Sequence, residues 1–128
     1  MRNGVVLDAS AVLAVLKREP GAERVRAVLD RAIIGAVNAA EVQSKLVDMG
    51  FSRYAAEARI RILGCSVLAF SEVQAIEAGS LIALTRPFGL SLGDRACLAL
   101  AIDRKATVYT TDRSWTELDL GIQIEAIR

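Results

Sequence analysis

Four acidic residues, Asp8, Glu41, Asp94 and Asp112, stand where carboxylates could act together. Asp8 interrupts the apolar run VVLDASAVLAVL at residues 5–16, and a buried carboxylate is costly unless it is paired or put to use. Glu41 lies in AVNAAEV, Asp94 in LSLGDRACLALA and Asp112 in VYTTDRSW. Histidine is absent, which excludes a Ser-His-Asp or Cys-His nucleophile, a histidine general base and a His-ligated zinc site. Whatever chemistry exists runs on carboxylates, hydroxyls, Lys or Arg.

The elements that must position these acids alternate between apolar β-branched runs and helical patterns, which predicts βαβ units and a parallel sheet covered on both faces. GVVLD reads as a first strand ending near Asp8, and ASAVLAVLKRE as a helix stopped by Pro20 and Gly21. GAERVRAVLDR reads as a second helix. AIIGAV reads as a strand, after which Asn38 is expected to cap the helix AAEVQSKLVDM. Ser52 caps RYAAEARIRIL, CSVLAF is a strand, and Ser71 opens the helix EVQAIEAGSLIAL. TRPFG is expected to be a loop, SLGDRACLALAIDRK an amphipathic helix opened by Ser91, ATVYTT a strand, and GIQIEAI the last strand. Nothing divides the chain, so residues 1–128 are expected to form one domain.

In such a sheet the strand C-termini and the following helix N-termini share one rim, where ligands bind. Each acid also has a purely structural reading. Asp8 can cap a helix, Asn38-x-x-Glu41 and Ser91-x-x-Asp94 fit capping boxes, and Asp112 can form a turn. Four such charges on one rim would repel. At about 6 Å and an effective dielectric of about 20, each of the pairs costs roughly 3 kcal/mol, and the sum rivals the ~5–15 kcal/mol stability of a domain. The nearest cations in sequence are Arg95 and Arg113. A divalent metal answers the repulsion better, and an all-oxygen site favours Mg²⁺ or Mn²⁺ over Zn²⁺. Such an ion supports phosphodiester hydrolysis without a histidine base.

Composition agrees with a substantial core: 53% of residues are apolar without counting Gly, above the about 45–50% usual for chains that include it. No apolar run approaches the about 18 residues of a membrane span, and MRNG lacks the features of a secretory signal, so a cytoplasmic location without membrane association is expected. Cys65 and Cys97 are isolated and read as buried reduced thiols. A formal net charge of +1 offers no global attraction for nucleic acid, although only three of the sixteen basic residues are Lys and the rest are Arg.

VVLDASAVLAVL, AVNAAEV, LSLGDRACLALA and VYTTDRSW, in this order and spacing, resemble the PIN-domain ribonucleases, and most closely the VapC toxins of bacterial toxin-antitoxin systems. The resemblance runs from residue 5 to the final IEAIR. It implies a three-layer α/β/α fold with a five-stranded parallel sheet in the order 3-2-1-4-5, which sets Asp8 beside Asp112. It also implies that Asp8, Glu41, Asp94 and Asp112 bind one or two Mg²⁺ or Mn²⁺ ions, with Ser10 and Thr110 as supporting hydroxyls. Where this chain has Trp115, some relatives carry a further acid; packing is the expected role of this Trp. A homodimer, an RNA substrate and a small VapB-like antitoxin as partner are implied as well. The helices GAERVRAVLDR and RYAAEARIRIL have stripes suited to such contacts or to the core, and Arg53, Glu57 and Arg61 read as a solvated ion-pair face.

Other readings fit less well. A haloacid-dehalogenase-type phosphatase wants an Asp where Ser10 stands, and a receiver-like domain wants an acidic pair and a strand-end Lys. A PIN nuclease of RNA processing without an antitoxin, or a non-catalytic metal-binding adaptor, stays open at this point.

Overall fold

The computed structural model describes residues 4–128, so Met1, Arg2 and Asn3 of the MRNG segment lie outside it. Five strands, β1 (Val5–Leu7), β2 (Ala32–Gly35), β3 (Ser66–Leu68), β4 (Thr107–Thr110) and β5 (Ile124–Ala126), form one parallel sheet in the order β3-β2-β1-β4-β5. Seven helices accompany them among the described residues: α1 (Ala9–Leu16), α2 (Ala22–Arg26), α3 (Ala36–Asp48), α4 (Arg53–Arg61), α5 (Glu72–Ser80), α6 (Ile82–Thr85) and α7 (Leu92–Arg104). The expected three-layer α/β/α arrangement and strand order are both present.

The alternation of side chains along β1 builds two cores. Val5 and Leu7 pack with residues of α1, α2, α3 and α4 on one face, and Val6 packs with α7, Val108 and Trp115 on the other. All three β1 residues are buried, which explains a strand without polar alternation. The sequence predicts an amphipathic α7. Instead its residues from Ala96 to Ala101 are all buried, because α7 is packed against the sheet, α5 and α3 at once.

Several boundaries differ from the sequence reading. β2 ends at Gly35, which is the N-cap of α3, so Asn38 lies inside the helix and is not its cap. The predicted second helix is only α2 followed by a 3-10 turn at Leu29–Arg31 that feeds β2. The predicted helix after Ser71 is interrupted beyond Gly79 and Ser80, a pair that favours kinks, and resumes as α6. TRPFG is not an open loop but ends α6 and forms the 3-10 turn Arg86–Phe88. Cys97 is buried, whereas Cys65, at the entry to edge strand β3, is only partly so. Trp115 is 2% exposed and packs in the core, as expected. Arg61 pairs with Glu57 at 2.7 Å on an exposed face of α4. No helix among the described residues is long and apolar enough to cross a membrane.

Gly21 is a position where only glycine fits. Its φ is +93°, and a Cβ there would meet the Ile127 carbonyl oxygen at 2.5 Å, just past β5. Gly21→Ala is expected to cost about 1–3 kcal/mol, read as a lower denaturant midpoint with an unchanged slope.

Candidate active site

The pairing of β1 with β4 sets Leu7 opposite Tyr109, and the Asp8 N–H donates to the Tyr109 carbonyl at 3.2 Å. Asp8 therefore leaves the sheet beside Thr110. Its carboxylate is 4% exposed and caps α1, with Oδ1 accepting from the Ala11 N–H at 2.8 Å and the Ser10 hydroxyl at 2.7 Å. Oδ2 accepts from the Thr110 hydroxyl at 2.7 Å. Thr110 Oγ1 in turn accepts the Asp112 N–H at 3.1 Å, and Ser10 Oγ accepts the Thr111 N–H at 3.0 Å. The two hydroxyls thus tie Asp8 to the chain that carries Asp112.

The other pair comes from α3 and α7, which pack in different cores but touch at the rim through their first turns. Asn38 Nδ2 donates to Glu41 Oε1 at 2.8 Å and to the Gly93 carbonyl at 3.1 Å. Asp94 closes a capping box with Ser91: its Oδ2 accepts the Ser91 N–H at 2.9 Å, and its own N–H donates to Ser91 Oγ at 3.1 Å. Asp112 Oδ1 accepts from the N–H and hydroxyl of Ser114, at 3.0 and 2.7 Å. The structural readings of Asp8, Asp94 and Asp112 are therefore all realised, whereas the Asn38-x-x-Glu41 capping box is not.

Asp8 lies within the electrostatic field of Asp94. Burial pushes the Asp8 carboxyl from its ordinary 3.8 up to about 6; hydrogen bonds from Ser10, Thr110 and Ala11 resist this, and the negative charge of Asp94 adds to it. The buried Cys97 thiol is driven well above its ordinary range by burial, with Asp8, Asp94 and Glu41 all contributing.

The cations next in sequence do not answer this charge. Arg95 Nη1 donates to the Ala78 carbonyl on α5 at 2.8 Å, and no ion pair among the described residues involves Asp8, Glu41, Asp94 or Asp112. Among the described residues no three acidic or thiol side chains lie close enough to close a metal site as they stand, so the repulsion reckoned from sequence is an upper value. What fits a hard cation is the donor chemistry. Asp94 Oδ1, Asp112 Oδ2 and Glu41 Oε2 accept no hydrogen bond among the described residues, and every donor is a carboxylate oxygen. Asn38 and Gly93, which hold Glu41, are not found as site residues by sequence reasoning. The Asn-x-x-Glu spacing is visible there, but it reads as capping.

A family model for the PIN domain matches residues 5–120. No curated protein sequence matches the chain. Among solved structures, it is similar to VapBC2 of Rickettsia felis bound to a DNA fragment from their promoter, with a TM-score of 0.75 and 16% identity over 95% of this chain and 97% of that one. Similar too are DNA-bound VapBC from Salmonella typhimurium (TM-score 0.70, 20% identity, 99% and 100% covered) and VapBC-5, a member of the VapBC family of toxin-antitoxin systems from Mycobacterium tuberculosis (0.67, 22%, 99% and 99%). At these identities the likeness is one of fold.

Because its folded pKa is raised, Asp8 holds a proton between about pH 4 and about pH 6 that the unfolded chain releases. Its contribution to stability is therefore greatest below pH 4 and is lost as pH rises through 6, by at most about 3 kcal/mol. In EDTA, Asp8→Asn is expected to unfold at higher denaturant than wild type at pH 7.5, with the gain shrinking at pH 5. Equal curves at both pH values would show that the buried charge is not felt.

Proposed function

Because the chain belongs to the PIN-domain family, a family of nucleases, we propose that it is a metal-dependent endoribonuclease acting as the toxin of a type II toxin-antitoxin pair. The observation that carries this reading is the buried Asp8 carboxylate, set within the field of Asp94 and joined in no ion pair among the described residues. Asp8, Glu41, Asp94 and Asp112 would hold one or two Mg²⁺ or Mn²⁺ ions. The chemistry an ion supplies when bound is polarisation of a phosphodiester oxygen and acidification of water. The chain's own residues do the placing. Ser10 and Thr110 fix the orientation of the Asp8 carboxylate, and neither acts as nucleophile, because both hydroxyls donate to Asp8. Without histidine, the unshared carboxylate oxygens are the bases available to accept a proton from the attacking water.

RNA as substrate follows from the resemblance of the four acid-bearing motifs. A small VapB-like antitoxin as partner is supported by the fold shared with VapBC toxin-antitoxin complexes. Between α3, α4 and β3 lies a groove of about 660 Å³ whose lining includes Ala39, Gln43, Arg53, Ile60 and Val67. Tyr54 and Ile62 stand exposed on α4 and at its end, as do Val73, Ile76, Leu84 and Leu92 on the α5 to α7 side, so an antitoxin and a second copy both have apolar surface to cover. A cytoplasmic site of action completes the reading.

Protein purified free of any antitoxin is expected to cut a mixed RNA pool with Mg²⁺ or Mn²⁺ and not with EDTA. Asp8→Asn is expected to lower the rate by about two orders of magnitude or more. Failure of the wild type both to cut and to bind either metal would overturn the assignment.

A further inference from the structure

We propose that Asn38 and Gly93 form a cradle that positions the Glu41 carboxylate and thereby sets the cation affinity of the acidic site. This rests on the reading of the four acids as a metal site. The observations beneath it concern Glu41 alone.

Asn38 is 1% exposed and lies in the first turn of α3, where its side chain does no capping. Both donors of its amide are committed, one to Glu41 Oε1 at 2.8 Å and one to the Gly93 carbonyl at 3.1 Å. Both partners are acceptors, so the amide can point only one way; the flipped amide would set an oxygen against a carboxylate and a carbonyl. The consequence is visible on its other side, where Asn38 Oδ1 is buried without a partner among the described residues. An unsatisfied buried oxygen is a cost that an apolar residue at this position would avoid. The geometry therefore matches an amide that holds Glu41 and α7 together better than one that stabilises α3.

Gly93 supplies the other wall. A Cβ there would overlap Glu41 Oε2 and lie 2.6 Å from its Cδ and 2.8 Å from its Oε1, so the carboxylate occupies the space that any side chain at 93 would take. The atoms met are the far end of a flexible side chain. Alanine at this position would therefore displace the carboxylate and leave the backbone in place, and as a better helix former than glycine it suits the first turn of α7. Asn38 from one helix and Gly93 from the other thus confine Glu41 beside Asp94. Neither touches a cation, and both are positioning residues.

The test uses the whole chain, wild type and four variants: Asn38→Ala, Gly93→Ala, Glu41→Gln, and Asn38→Ala with Glu41→Gln. Mn²⁺ affinity is measured by calorimetry, and the side-chain carboxyl carbon resonances are recorded without metal. Asn38→Ala and Gly93→Ala are each expected to weaken Mn²⁺ about tenfold, while the double variant binds no more weakly than Glu41→Gln alone. Without metal, both are expected to move the Glu41 resonance and leave that of Asp112 in place. A resonance that stays put overturns the cradle, as does unchanged Mn²⁺ affinity in both single variants. A loss from Asn38→Ala that is equally large with Glu41 intact and with Glu41→Gln already present overturns it too, because it marks general loosening of the fold. If wild type binds no Mn²⁺, the metal-site reading fails separately, and the resonances alone decide whether Glu41 is held as proposed.

Discussion

A carboxylate buried at the end of the central strand governs the architecture. Asp8 is covered by the elements that bracket β1, and it stays hydrogen-bonded only because α1 begins immediately after it and β4 runs alongside. Ala11 and Ser10 supply donors from the helix, Thr110 from the neighbouring strand. Hydrogen bonds to a charged group contribute about 1.5–3 kcal/mol each, so three of them offset much of the desolvation. They do not offset all of it, as the raised pKa of the group records. The fold thus keeps one residue in a state that a nearby positive charge would improve, a placement common at functional sites.

The strand order follows from the same requirement. Only with β1 and β4 adjacent can Thr110 reach Asp8 and bring Asp112 with it. Helices α3 and α7 pack on opposite faces of the sheet, and their first turns meet over the rim. The buried run along α7 pins that helix from every side, so Asp94 is presented by one of the most firmly packed elements in the chain. Helix α4, by contrast, buries only Ala56 and carries its polar residues into solvent.

How far these relations can be read in the chain depends on whether a local pattern carries them. The apolar strands, the Ser91 and Asp94 box and the alternation of strand and helix are local, and the parallel sheet follows from them. The strand order comes from the resemblance of the motifs, since periodicity says nothing about which parallel strands are neighbours. Boundaries are lost where two signals overlap. AIIGAV continues apolar past the last residue of β2, and the turn into α3 is made by Gly35, with no side-chain cap to mark it. Asn38 therefore reads as the cap, and its contact with Gly93, fifty-five positions away, has no trace in any window of sequence.

In the sequence, capping and chemistry compete as explanations of the acids, and the structure shows why they need not. A carboxylate has two oxygens. Asp94 gives Oδ2 to the Ser91 N–H, and Asp112 gives Oδ1 to Ser114, while Glu41 gives Oε1 to Asn38. In each case one oxygen is fixed by the fold and the other accepts no hydrogen bond among the described residues. The fixed oxygen removes the rotational freedom that binding would otherwise have to freeze, so a helix cap serves as preorganisation for whatever the second oxygen meets. Asp8 is the exception, with both oxygens engaged and its charge buried. Three acids thus retain an unshared oxygen, while the fourth contributes a buried negative charge that no ion pair among the described residues answers.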